Sequence, residues 1–284
     1  MQLGVTPWRM SVDATGLCEQ AELAEQWGYD AFFLPESHFT GAMPIPDPLL
    51  LLAAVAARTN RIRLATSSWL LPIRQPLLAA EQVAALDQLS GGRLTLGLGR
   101  GFQPGMLEAF GVASKDKRTV FSATLQGMLE AWSDDKLVPG CIQQPHPPLL
   151  VAAFGPKALA QAGRLGLPYL ASPMESMDEL VENHDRHREA VDEAGHSAVE
   201  DIAIMRTVFI CEDDKRCGKV RTALVENGAR DSSLVGSASQ VAEGIELYRE
   251  QLGMNQLVAV RPRIRGIAEP ENRASMEKLV SLRP

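Results

Sequence analysis

The 284-residue chain has few aromatic side chains, no excess of basic charge and no long apolar run. Aromatic residues make up 5% of it while hydrophobic residues make up 45%, so any core is mainly aliphatic. Lysine and arginine number 28 against 35 aspartates and glutamates, giving a formal charge of −7 and a pI near 5.4. That balance argues against nucleic acid or an anionic membrane surface as the main partner. The longest apolar run, 48–57, is far shorter than the roughly 20 residues of a helical span and reads as a buried helix. The opening residues show no basic–apolar–small pattern of a signal peptide, and a cytoplasmic protein without membrane contact is expected. The four cysteines, Cys18, Cys141, Cys211 and Cys217, have no CxxC spacing. This excludes a disulfide framework or zinc site as the first reading and leaves free thiols, although Cys211 and Cys217 are near enough in sequence to meet. His184 and His187 sit among charges in "ENHDRH" and read as a solvated helix face; no metal is expected.

What is present is alternation. Short apolar runs at 3–6, 31–35, 63–70, 94–99, 149–154, 169–172, 204–211 and 256–261 read as strands. Segments of helical period lie between and after them, at 14–27, 47–59, 76–90, 116–132, 156–166, 176–194, 213–227, 237–252 and 270–281. Strands that alternate with helices pair in parallel through right-handed crossovers. Eight such units predict an α/β fold of the closed (β/α)8 kind, with a doubly wound open sheet as the alternative. Asp13 or Ser11 can cap the first helix, and Asp47-Pro48 and Gly155-Pro156 open later ones. No linker, repeat or low-complexity segment interrupts the chain, so 1–284 is expected to be one domain.

In such a barrel the chemistry lies at the C-terminal strand ends. The second strand ends in "FFLPESHFTG", where a buried apolar run gives way to Glu36, Ser37 and His38. Other strand ends offer Trp8, Ser67-Ser68-Trp69, Arg100 between glycines, Gly155-Pro156-Lys157-Ala158 and Arg261. This set suits a planar phosphorylated cofactor better than a metal, which needs clustered histidines and carboxylates. "LTLGLGRG" is not a dinucleotide fingerprint, because Phe102 stands where its last glycine belongs and the segment is the fourth βα unit. Arg100 can instead supply charge for a phosphate, and the N–H groups opening the helix after Gly155, aided by Lys157, can do the same. Trp8 and Trp69 are candidate pocket walls, with simple core packing as the alternative.

At these residues the sequence resembles the bacterial-luciferase-like flavin monooxygenases, which are TIM barrels. The likeness runs through "AEQWGYDAFFLPESHFTG", "EQVAALDQLSGGRLTLGLGRGFQPGMLEAFGV", "PHPPLLVAAFGPKALAQAGRLGLP" and "LVGSASQVAEGIELYREQLGMNQLVAV". It implies a luciferase-like barrel over the whole chain, reduced FMN possibly supplied by a separate flavin reductase, O2, and oxidation of a small organic substrate. A homodimer formed through the early helices is also implied. The deazaflavin branch shares the fold but lacks this Arg-Gly block, so FMN ranks above it; a non-catalytic flavin-binding relative is the other alternative. Carried over by position, Arg100 and Arg118 match phosphate-binding arginines, and Gly155 to Ala158 match the phosphate turn without its hydroxyls. Ser67-Ser68 matches a cis peptide behind the flavin ring, with Trp69 beside it. Glu36 and His38 match the family's glutamate and second histidine and are the catalytic candidates, and Ser37 stands where the first histidine, the acid/base residue, belongs, a place serine cannot fill near neutral pH. Ser37, Trp8 and Arg261 are the candidate substrate contacts. Only about two dozen residues separate Cys211 from Val235, so the family's long insertion after the seventh strand is reduced to one crossover helix.

Overall fold

The computed structural model describes residues 1–9, 13–39, 44–133, 137–229 and 233–284. Ser11, the end of the "FFLPESHFTG" stretch from residue 40, and 134–136 lie outside the described residues. The strands are β1 (Gln2–Val5), β2 (Ala31–Leu34), β3 (Arg63–Thr66), β4 (Trp69–Leu70), β5 (Leu94–Gly99), β6 (Leu149–Ala152), β7 (Tyr169–Ala171), β8 (Ala203–Ile210), β9 (Leu234–Gly236) and β10 (Gln256–Val260). The helices are α1 (Ala14–Trp27), α2 (Pro48–Ala56), α3 (Pro76–Ser90), α4 (Pro104–Ala109), α5 (Lys117–Ser133), α6 (Pro156–Arg164), α7 (Met177–Glu193), α8 (Asp214–Glu226), α9 (Ala238–Leu252) and α10 (Glu269–Val280). The hydrogen-bonded order is β10-β1-β2-β3-β5-β6-β7-β8-β9, and β10 also pairs with β8. That last pairing closes eight parallel strands into a (β/α)8 barrel, with β4 and β9 as short additions.

The chain's contacts fall into two compact units. The first comprises residues 1–10, 23–32 and 153–284. In it β1 lies between β10 and β2, with Gly4 opposite both Val258 and Ala31. β8 is shared in the same way, Ala203 standing opposite Gln256 of β10 and Leu170 of β7. Leu3, Val5, Phe32, Ile204, Val208 and Val258 are all fully buried, as parallel strands covered on both faces require. Capping boxes start α7 at Ser176 with Glu179 and α9 at Ser237 with Gln240. Between β8 and β9 the only helix among the described residues is α8, which agrees with the short connection read from the sequence.

The second unit comprises residues 11–22 and 33–152. Asp47 caps α2 by accepting from Leu50 N at 3.1 Å, with Pro48 at the first helical position. Gly91 ends α3 in the left-handed conformation, φ 66°, that a Cβ disfavours. The strand expected over 63–70 is two pieces, β3 and β4, both paired with β5 and separated by a cis Ser67–Ser68 peptide. Asp87 is fully buried and accepts from Gln143 N at 2.9 Å and Gln143 Nε2 at 2.7 Å. Arg93 fastens the turn after α2 through the carbonyls of Ala56, Thr59 and Ile62.

One expectation is overturned in the first unit: the histidines of α7 are not a solvated face. α7 meets α6 so closely that a Cβ on Gly163 would lie 2.6 Å from Ala190 Cβ and 2.8 Å from His187 O. His187 is thereby buried, its Nε2–H donating to Leu167 O at 2.9 Å and its ring 4.9 Å from Tyr169. Burial, the dominant cause, holds both His184 and His187 below the ordinary histidine value of 6.5, and the Leu167 bond opposes it only in part at His187. A lowered folded-state value means that the unfolded chain takes the proton first, so stability is complete above 6.5 and falls as pH drops below it. Urea unfolding between about pH 7.5 and about pH 5.5 should therefore show a falling midpoint, and His187→Gln, which keeps a donor for Leu167, should show a smaller fall. Equal acid slopes would remove His187 from the account.

Candidate functional site

The polar end of β2 is built around one carboxylate. Phe32, Phe33 and Leu34 are fully buried, and Pro35 then stops the ladder, since it has no N–H to give. The Glu36 side chain is 0% exposed. Its Oε2 accepts from Leu70 N at 2.8 Å, while Oε1 accepts from His38 Nε2 at 2.7 Å and from the Arg74 guanidinium. Arg74 lies 5.0 Å over the ring of Trp69 and is 17% exposed. The acid is thus neutralised by a cation and tied to the start of β4, and the imidazole is oriented by the same oxygen.

Ser37 does something different from its neighbours. Its N donates to Ile45 O at 2.9 Å and its Oγ accepts from Ile45 N at 3.1 Å, which ties Ser37 to Ile45. Beside it, Phe39 holds a left-handed φ of 57° with 71% of its surface exposed. Phe39 stacks on Phe110 at 5.8 Å, and His38 meets Phe110 edge-on at 4.9 Å. An aromatic shelf therefore adjoins the acid–imidazole pair.

Ser67 N donates to Leu34 O at 2.8 Å, which sets the 67–68 peptide against the end of β2. Ser67 Oγ and Trp69 Nε1 are buried with no hydrogen-bond partner among the described residues, a condition polar atoms rarely tolerate without a ligand or water. Gly99 makes room for this segment: a Cβ there would lie 2.9 Å from Ser68 Cβ and closer still to Ser68 Oγ. Trp69 itself is wholly buried.

At the end of β5, Arg100 donates to Ala152 O at 2.9 Å and lies 5.8 Å from the Phe121 ring. Burial first, and the charge of Arg118 second, hold it below the ordinary arginine range. Arg118 and Lys117 open α5, and Lys117 Nζ donates to Gly101 O at 3.1 Å. Cations gathered at a helix N-terminus form a donor set that fits a phosphate.

The first unit carries the remaining candidates. Gly155 caps α6 with φ 87°, has no side-chain cap and leaves open space where a Cβ would stand. Lys157 next to it is exposed and Ala158 is buried. Trp8 is 2% exposed and packs on Trp27 at 4.9 Å. Arg261 is half-buried and donates to Pro262 O at 3.1 Å, with burial and then Arg263 lowering its pKa. Among the described residues no three metal-ligating side chains cluster.

Arg74 and Lys117 were not singled out by the sequence, and Phe110 entered only as part of the family pattern. Arg74 had no signal, because its role comes only from the fold bringing it to Glu36. Lys117 was legible as one of the basic residues in "SKDKRTV" beside Arg118.

The C-terminal strand ends of this (β/α)8 barrel thus carry a buried acid–imidazole pair, polar atoms without partners among the described residues and a cationic edge. The chain belongs to the luciferase-like monooxygenase family, whose model matches residues 3–225. A protein of Sinorhizobium fredii with no assigned role, y4vJ, is 33% identical over 162 residues, 52% of this chain and 46% of that one. The oxygenase component of a flavin-dependent trigonelline monooxygenase of Acinetobacter baylyi is 26% identical over 216 residues, 70% of this chain and 60% of that one. The chain spans about half the length of the curated relatives it matches first. Among solved structures, the monooxygenase RslO1 of Streptomyces bottropensis superimposes with a TM-score of 0.84 at 24% identity, over 99% of this chain and 98% of that one. The oxygenating constituent of 3,6-diketocamphane monooxygenase of Pseudomonas putida, in complex with FMN, follows at 0.78 and 20% identity, over 99% and 96%. The F420-dependent tetrahydromethanopterin reductase of Methanopyrus kandleri shares the fold at 0.73 and 17% identity, over 98% and 97%.

The Glu36–Arg74 pair can be tested by a cycle. Arg74→Met strands a buried carboxylate and should lower stability by about 2–4 kcal/mol in urea unfolding. Glu36→Gln combined with Arg74→Met should recover at least about 1 kcal/mol relative to Arg74→Met alone, because the uncompensated charge is gone. Additive losses would show that the pair is not the organising contact.

Proposed function

We propose that this protein is an oxygenase component that binds reduced FMN and uses O2 to oxidise a small organic substrate. The observation that carries this reading is the cationic edge of Arg100 and Arg118 in the same unit as the orphaned Ser67 Oγ and Trp69 Nε1. Reduced flavin supplies electrons to O2 and so the oxidising power that no side chain can provide. The chain's own residues bind and orient. Arg100 and Arg118 hold the phosphate, Ser67, Ser68 and Trp69 back the ring, and Phe39 with Phe110 offers an apolar face. His38 moves the proton. Its Nε2 is held by Glu36 Oε1, which orients the ring. Ser37 takes no proton, since a hydroxyl is not a base near neutral pH, and its Oγ accepts from Ile45 N. The uncapped start of α6, with Gly155, Lys157 and Ala158, is a further anion-holding element.

A separate flavin reductase supplies the reduced cofactor in this reading, as the relative described as an oxygenase component suggests. The whole chain acts as one barrel domain in the cytoplasm; among the described residues no helix is long and apolar enough to cross a membrane. Two copies pair through α2 and α3, where Leu50, Leu77, Leu78 and Leu89 are exposed by 53% or more.

Anaerobic titration with reduced FMN, followed by oxygen and measurement of oxidised product, tests the proposal. Saturable binding is expected, and Arg100→Ala should weaken it by about 1–3 kcal/mol, five- to 150-fold in dissociation constant. Unchanged affinity in Arg100→Ala would remove that phosphate assignment. Preference for a deazaflavin with O2 irrelevant, or tight flavin binding with no turnover of any substrate, would replace the oxygenase reading.

A further inference from the structure

We propose that Cys211 and Cys217 form a dithiol site that hydroperoxides oxidise to an intramolecular disulfide. This goes beyond the flavin reading and does not depend on it.

The two cysteines sit at the corner where β8 turns into α8. Cys211 follows the last residue of β8 and donates its N–H to Gly236 O at 3.0 Å, which fixes it to the end of β9. Asp213 caps α8 through the N–H groups of Lys215 and Arg216, and this brings Cys217, in the first turn, back over Cys211. The two Sγ atoms lie 3.0 Å apart. Cys217 Sγ donates to Cys211 O at 3.2 Å, and Cys211 Sγ donates to Asp213 O at 3.3 Å. Cys217 is completely buried among Phe209, Val220, Leu224 and Val235, whereas Cys211 is half-exposed at the edge of that cluster. One sulfur is therefore reachable from solvent and the other is held directly behind it.

That asymmetry assigns the order of events. Cys211 attacks one oxygen of the hydroperoxide; the S–O bond forms as the O–O bond breaks, and the first water (or alcohol) leaves with the Cys211 proton. The sulfur of Cys217 then displaces the remaining oxygen, forming S–S as S–O breaks, and the second water leaves with the Cys217 proton. With hydrogen peroxide the sum is two thiols and one peroxide to one disulfide and two waters; the sulfurs lose the two electrons that the peroxide gains. Burial pushes the Cys217 thiol up to about 11, in keeping with a resolving rather than an attacking role. Cys18 and Cys141 are both buried, and burial pushes Cys141 up to about 11 as well, so neither competes as the exposed nucleophile.

The site also touches the segment that follows β10. Ile264 and Ile267 pack on the same cluster, and Arg216, between the two cysteines in sequence, pairs with Glu271 at 2.7 Å. A disulfide would fasten this corner without breaking either contact.

The test uses the full chain, without cofactor, exposed to stepwise hydrogen peroxide near neutral pH, alkylated and digested with trypsin. Cleavage after Lys215, Arg216 and Lys219 separates the cysteines, so the expected product is peptide 207–215 linked to peptide 217–219, reversible by dithiothreitol. It should form at least about tenfold faster than any change at Cys18 or Cys141. Cys217→Ser should block the link and leave Cys211 as a sulfenic acid trapped by dimedone. Cys211→Ser, at the exposed position, should leave Cys217 reduced through the same exposure. Absence of the link in the native chain, a link to Cys18 or Cys141, or over-oxidation of Cys211 to the same extent with and without Cys217 would each overturn the proposal.

Discussion

A carboxylate with no exposure is tolerable only when every lone pair that leaves water finds a donor, and Glu36 is that constraint here. Its two oxygens gather the Leu70 N–H, the Arg74 guanidinium and the His38 imidazole. Each partner fixes something else. Leu70 holds β4 to the end of β2, Arg74 covers the buried face of Trp69, and His38 turns its ring against Phe110. The Ser67 N–H bond to Leu34 O lies in the same seam, and Gly99 must lack a side chain for Ser68 to fit there. The polar tip of β2 is thus not a surface feature placed on a finished barrel. It is the joint by which two strand ends and a helix-leading turn are registered.

The periodicity that predicted the fold worked because of how parallel strands are covered. A strand buried on both faces reads as a continuous apolar run, and "AFFL" and "LTLGLG" do so without ambiguity. α1 and α3 end where expected because Gly28 and Gly91 follow them with φ of 99° and 66°. The misses have equally physical reasons. β9 has three residues and α4 six, too few for a period to show. The 63–70 run has apolar residues on both sides of Ser67–Ser68, where the strand is split, and two small polar residues give no pattern that distinguishes a break from a strand. His187 was hidden by its charged neighbours; what buries it is Gly163 on another helix, which no local window includes.

The site divides along the same line. Glu36 and His38 were legible because both lie on one strand end, two residues apart, and their pairing is local. Arg100 was legible from its strand end, whereas Arg118, 18 positions further on, was legible only through a family pattern. Arg74 was not legible at all, because its partner is 38 positions away in sequence. Trp8, read from its strand-end position as a wall or as core, is 2% exposed and lies 4.9 Å from the Trp27 ring.

Ser37 carries the remaining lesson about mechanism. An imidazole at that position would be a second titrating group beside Glu36; a hydroxyl there is instead a hydrogen-bonding hinge pin, accepting from Ile45 N while its own backbone donates to Ile45 O. Exchange of the one for the other trades acid–base capacity for a hydrogen-bonded tie to Ile45. The imidazole at this end of β2 is oriented by an arginine-neutralised acid, and the exposed Phe39 and Phe110 rings lie beside it.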